Sequence, residues 1–180
     1  MRLNINQLVK AIVASTLMTF AFGSSAALIT GDVTFSGNWD SVAGTATTTE
    51  LTFPGGDVDA DDSTGDFSGI AEGDLGTIST LDFGVGGPLA GTFVSLGGFD
   101  FSLTDVSVVF QSATIIILEG SGVASGNGFD DTIVDFFFTA NQNGGLKAFS
   151  AGFTAQPVPV PGALILFGSA LAGLAVRRSK

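Results

Sequence analysis

The residues best placed to do chemistry lie in one short stretch, Gly55-Gly-Asp57-Val-Asp59-Ala-Asp61-Asp62-Ser-Thr-Gly65-Asp66. Asp57, Asp59 and Asp61 have the one-three-five spacing by which calcium loops gather hard oxygen ligands, and Asp66 supplies a further carboxylate. The rest of that pattern is absent. The sixth position holds Asp62 where a sharp turn needs glycine, the twelfth holds Ser68 where a bidentate Glu belongs, and no helix leads in. The leading expectation is a solvated acidic loop, with a Ca²⁺ site of another kind at Asp57, Asp59, Asp61 and Asp66 as its alternative. Asp130-Asp131, beside the Asn127-Gly128 turn, is a fainter candidate whose simpler reading is turn capping.

Other chemistries are narrowed by what the chain lacks. It has 180 residues with no Cys, His or Tyr, so disulfides, thiolate zinc sites and a histidine base are excluded. The 17 acidic residues against 6 basic ones argue against nucleic acid, whose phosphates need clustered Lys or Arg. A Ser–Lys dyad would require Lys147, the only base among residues 28–156. Paired carboxylates of a glycosidase have candidates in number but no supporting motif. Gly84-Val-Gly-Gly-Pro-Leu-Ala-Gly91 carries Pro88 where a dinucleotide loop should open a helix, and it reads as a plain loop. Trp39 and Phe35 could stack on sugar rings, although a single Trp is more often a core residue.

The elements that hold these residues are strands. Val33 and Phe35 share a face, as do Leu51 and Phe53. Phe99, Phe101 and Leu103 alternate with polar residues, and Val106, Val108 and Phe110 continue the alternation. Thr114 to Ala124 is rich in β-formers and leads to Asn127-Gly128, a tight hairpin turn. Thr132 to Thr139 returns with Val134, Phe136 and Phe138 on one face. Asn143-Gly144-Gly145 then turns into a strand from Leu146 to Phe153. No amphipathic helical run longer than about two turns occurs in the body. The expected fold is all-β, a β-sandwich or jelly-roll-like body over residues 28–156. The short motifs Gly97-Gly-Phe-Asp100 and Asn127-Gly-Phe-Asp130 are alike, but their irregular context does not make a repeat. Most of the 17 phenylalanines lie between Phe35 and Phe153, and burying each contributes about 2 kcal/mol to a core without disulfides.

Both ends differ from this body. Arg2 and Lys10 precede the mostly apolar run Ala11 to Phe22, and Gly23-Ser-Ser-Ala-Ala27 then supplies small residues. This is the pattern of a secretory signal peptide over residues 1–27, with cleavage after Ala26 or Ala27. At the other end Pro157, Pro159 and Pro161 alternate with Val158 and Val160. Gly162 to Val176 follows without a charge, and Arg177-Arg178-Ser179-Lys180 closes the chain. As a helix the apolar run spans about 22 Å, a marginal transmembrane helix whose basic end favours the cytoplasm.

The order Val158-Pro159-Val160-Pro161, short apolar helix and Arg177-Arg178 resembles the PEP-CTERM sorting tail of exported Gram-negative proteins. Val160 stands where the name-giving motif has Glu, as in related tails with a Val-Pro-x-Pro signature. The resemblance, over residues 158–180, implies a membrane-embedded exosortase as partner and tail removal during maturation. It also implies delivery to the cell surface or an exopolysaccharide matrix. The functional expectation is an exported, non-catalytic surface or matrix protein that needs no cofactor. It would be held in the inner membrane by its tail with the body outside the cytoplasm, before processing. The alternatives are a Ca²⁺- or carbohydrate-binding adhesin module and a glycosidase-like enzyme.

Overall fold

A computed structural model describes residues 26–41, 45–88 and 90–155. The expected signal peptide as far as Ser25, and the whole sorting tail with Val158, Pro159, Val160, Pro161, Arg177 and Arg178, lie outside these described residues. Among the described residues there are ten strands: β1 (Gly31–Asn38), β2 (Glu50–Leu51), β3 (Asp57–Ser63), β4 (Leu75–Ile78), β5 (Leu81–Asp82), β6 (Thr92–Leu96), β7 (Phe99–Gln111), β8 (Ile115–Gly126), β9 (Phe129–Asn143) and β10 (Leu146–Ala155). The all-β class is as expected. The sandwich is not: eight strands close into one antiparallel barrel in the order β1-β10-β9-β8-β7-β6-β4-β3, and β2 and β5 form a separate two-stranded ribbon. Alternating faces serve a sandwich and a barrel equally well. The closure depends on β1 pairing both with β10 and with β3, a contact that no local pattern announces.

Long strands make one wall. β7 runs against β8 from Phe99–Gly126 to Gln111–Ile116, with bulges at Thr104 and Val109, and β9 and β10 pair along their length from Asn143–Leu146 to Val134–Ala155. The hairpins between them are as short as the sequence implies. Asn127 (φ 50°) and Gly128 (φ 83°) join β8 to β9, and Gly144 and Gly145, also at positive φ, join β9 to β10. The opposite wall is short: β4 meets β6 only through Thr77–Ser95 and Ile78–Val94.

The barrel interior is filled with rings. Phe153 stacks on Phe101 at 4.4 Å between centroids and lies 5.2 Å from Phe136 and 5.9 Å from Phe35. Phe53, which shares the inward face of Leu51, follows the short β2, and its ring reaches in against Phe149, Phe93 and Phe138. At the other end Phe67, from the turn after β3, packs on Phe99 and Phe101. Outward positions of the walls carry Asp, Ser and Thr, among them Asp59, Ser36, Asp100 and Asp135. A lipid-facing barrel has the reverse arrangement, apolar outside and polar within. Among the described residues no helix is long and apolar enough to cross a membrane.

Candidate functional site

The acidic stretch is not a loop but the strand β3. Val58 and Ala60 point into the core, and Asp57, Asp59 and Asp61 therefore stand on the outer face. The alternation that suggested ligand spacing is the alternation of a half-buried strand. Residues two apart on a strand are about 6.7 Å apart, so Asp57 and Asp61 sit roughly 13 Å from each other along it. A calcium ion holds its oxygens at about 2.3–2.6 Å, and side chains spread in this way do not converge on one ion. Among the described residues no group of three or more Asp or Glu is arranged to hold a metal ion.

The carboxylates have structural partners instead. Ser36 Oγ on β1 donates to Asp61 Oδ1 at 2.8 Å, across the seam that closes the barrel. Asp66, in the turn Gly65–Phe67, accepts from both Thr30 N (2.8 Å) and Thr30 Oγ1 (3.0 Å) through Oδ2. Thr64 ties in from the same turn, donating through Oγ1 to Asp32 Oδ2 and accepting from Asp32 N. Asp62 accepts from the next backbone N–H, that of Ser63. The result is a β1–β3 wall dense in negative charge, cross-linked by hydroxyl groups and open to solvent.

Trp39 is a core residue, 2 % exposed, and not a sugar platform. Its indole Nε1 donates to Asn141 O at 3.2 Å and Ala148 O at 3.1 Å, pinning the segment after β1 to the β9–β10 hairpin. Phe35 is likewise fully buried. Lys147 pairs with Asp40 and lies 5.2 Å above the Trp39 ring, so the one base among residues 28–156 closes a latch. The hydrogen bond from Lys147, with the Ser41 N–H and the ammonium charge beside it, holds the Asp40 carboxyl below the ordinary carboxylate range.

The remaining candidates fall into place as structure. Residues 84–88, around the Gly87–Pro88 bond, and residues 90–91 are outside any strand, in keeping with the expected loop, and Gly84 N donates to Asp82 Oδ1. Asp130 donates its backbone N–H to Ala27 O, while Thr132 Oγ1 accepts from Ile29 N; together they dock the start of the body against β9. The likeness of Gly97-Gly-Phe-Asp100 to Asn127-Gly-Phe-Asp130 has a physical cause. Both begin two-residue hairpins with positive φ, and they sit side by side, Asn127 Nδ2 donating to Gly97 O at 3.1 Å.

The feature that sequence reasoning missed is a hollow of about 270 Å³ on the outer wall, lined by Glu119, Gly120, Asp135, Phe137 and Thr154 among others. Phe137 lies across Gly152, where a Cβ would come within 2.6 Å of the ring, so the half-exposed ring covers a bare stretch of β10. Glu119 and Asp135 are diagonal neighbours on β8 and β9, both exposed. Paired carboxylates suit glycoside hydrolysis where a cleft encloses the sugar between them, and this pair stands on an open wall. A second hollow, of about 130 Å³, lies between Ser79–Leu81, Pro88, Ala90 and Leu103 and is lined by hydroxyls and apolar groups without a charge. The chain matches no family model, no curated protein and no solved structure.

Proposed function

We propose that this chain is an exported, non-catalytic surface or matrix protein of a Gram-negative bacterium, addressed by its two ends and displayed through its barrel. The observation that carries the reading is the three-part C-terminus, Val158-Pro159-Val160-Pro161, the uncharged Gly162–Val176 and Arg177-Arg178, coupled to a signal peptide pattern at residues 1–27. On this reading the tail spans the inner membrane with its basic end in the cytoplasm. An exosortase cuts in the extended proline segment, whose backbone is accessible as a helix would not be. The released body then reaches the cell surface or an exopolysaccharide matrix.

The barrel is compatible with that role in three ways. Its interior is filled with packed aromatic and aliphatic side chains. Its outer face is acidic and hydroxyl-rich, suited to a hydrated setting. Its core is packed with aromatic rings, and a chain without cysteine is held by no disulfide. The adhesin and glycosidase alternatives are favoured by no specific contact. The test is cell fractionation in a Gram-negative host that carries an exosortase, comparing the wild type with an Arg177→Ala/Arg178→Ala variant. The wild type is expected at the surface or in the medium and the variant in the inner membrane. The same distribution for both would remove the sorting role of the tail.

A further inference from the structure

The chain contains two Asn-Gly pairs, Asn127-Gly128 and Asn143-Gly144, and no Asp-Gly pair. Both stand at exposed hairpin tips, the first joining β8 to β9 and the second β9 to β10. Asparagine is a chemically labile residue, and a following glycine opens a route for its loss. The glycine's backbone nitrogen can attack the asparagine Cγ, because no Cβ crowds its approach. Neither Gly128 N–H nor Gly144 N–H donates a hydrogen bond among the described residues, so both nitrogens are free to react. The two asparagines, however, are held differently.

Asn127 is fixed in a conformation that blocks the attack. Its φ of 50° lies in the left-handed region, where Cβ sits against the residue's own carbonyl oxygen. Gly128 N is then on the opposite side of the Cα–C bond from the side chain, the arrangement furthest from ring closure. The amide is also tied down. Nδ2 donates to Gly97 O at 3.1 Å, and the side chain fills the space where Gly98 would carry a Cβ. Asn143 has none of these restraints. It ends β9 opposite Leu146 in extended backbone, and its amide makes no hydrogen bond among the described residues. At Gly144 and Gly145 a Cβ would meet nothing within 4 Å, so the turn has room to rotate and water has access. Exposed turns of this kind open locally without unfolding the sheet.

We propose that Asn143 is a site of spontaneous deamidation through a cyclic imide, a reaction from which the fold protects Asn127. Gly144 N loses its proton to hydroxide and bonds to Asn143 Cγ. The Cγ–Nδ2 bond breaks, and the nitrogen leaves as ammonia with a proton from water. Water then opens the imide. Attack at Cγ leaves an aspartate at position 143, and attack at the backbone carbonyl leaves an isoaspartyl link. Either product adds a negative charge, and the isoaspartyl link puts one more carbon into the backbone of the turn. The change falls on the hairpin whose Asn141 O and Ala148 O receive Trp39 Nε1.

The test incubates full-length protein in mild detergent at mildly alkaline pH, folded and in denaturant, and follows peptides covering both turns. Conversion raises the mass of a peptide by about 1 Da, and fragmentation separates aspartate from isoaspartate. In the folded protein Asn143 is expected to convert at least about tenfold faster than Asn127, with isoaspartate among the products. In denaturant, where neither turn is held, the two rates should agree within about twofold. Equal rates in the folded protein, faster conversion at Asn127, or an Asn143 that reacts only in denaturant would overturn the proposal. A tenfold difference that persists in denaturant would assign the selectivity to neighbouring sequence and overturn the protection by the fold.

Discussion

The two walls of this barrel are built from the same alternation and reach closure by different means. Along β7–β10 the strands are long, their hairpins are two- or three-residue turns, and inward rings such as Phe101, Phe136 and Phe153 meet one another directly. Along β3, β4 and β6 the strands are short and the ladder between β4 and β6 is brief, so irregular segments complete the core. Phe53 enters from one end and Phe67 from the other. A regular wall thus supplies most of the packing surface, and the short wall is finished by single side chains carried on turns. Cutting into each wall separately tests that division.

The largest effect is expected at the junction of the walls. Phe153→Ala removes a fully buried ring that stacks on Phe101 and touches Phe136 and Phe35. It should cost about 3–5 kcal/mol, read as a fall in the denaturation midpoint of the whole barrel. Phe67→Ala should cost about 3 kcal/mol, the low end of the same range, because its turn can collapse toward the gap. Hydrogen exchange should then show the loss concentrated in residues 29–33 and 64–70, while β8–β10 keep their protection. Equal loss of protection in both walls would mean that the walls do not differ in the way described.

A smaller effect belongs to the hairpins of the long wall. Asn127 sits at φ 50° and bonds Gly97 O, so Asn127→Ala puts an ordinary side chain in the left-handed region and deletes a bridge between neighbouring turns. The expected loss is about 1–2 kcal/mol, whereas Asn127→Gly should recover the backbone part. Chemical denaturation of the two variants side by side separates the strain from the lost hydrogen bond.

The smallest effect is the Asp40–Lys147 latch. Its depressed carboxyl means that the folded state binds this proton less readily than the unfolded chain does. The contribution is present above pH 3.8, the ordinary value, and is lost as the pH falls through the lower folded value. Asp40→Asn should therefore flatten the acid limb of a stability-versus-pH curve slightly and leave neutral stability almost unchanged, as an exposed ion pair requires. Screening by salt should reproduce part of that change in the wild type.

The long wall was legible in the sequence because its signals are local. Asn127-Gly128 and Gly144-Gly145 mark turns through backbone conformation, and Val134, Phe136 and Phe138 mark the inner face by period two. The short wall was not, since Val58 and Ala60 are too few and too small to distinguish a strand from an acidic loop with the same spacing of Asp57, Asp59 and Asp61. Phe53 and Phe67 are set by contacts with residues distant in sequence, as is the pairing of β1 with β3 that makes a barrel. The candidate site divides in the same way. The hydrophobic and charge patterns of the ends are readable residue by residue. The fates of Trp39 and Lys147 depended on tertiary neighbours, the β9–β10 hairpin for Trp39 and Asp40 for Lys147.

The central claim is that the barrel is the mature protein and both ends are addresses. Intact mass spectrometry of the chain recovered from the cell surface and medium tests it most directly. The account predicts a chain that begins at Ala27 or Leu28 and lacks Arg177 to Lys180, with the last ~20 residues removed at the proline segment. Recovery of a surface-exposed chain that still ends in Lys180 would contradict it, leaving the tail as a plain anchor for the barrel.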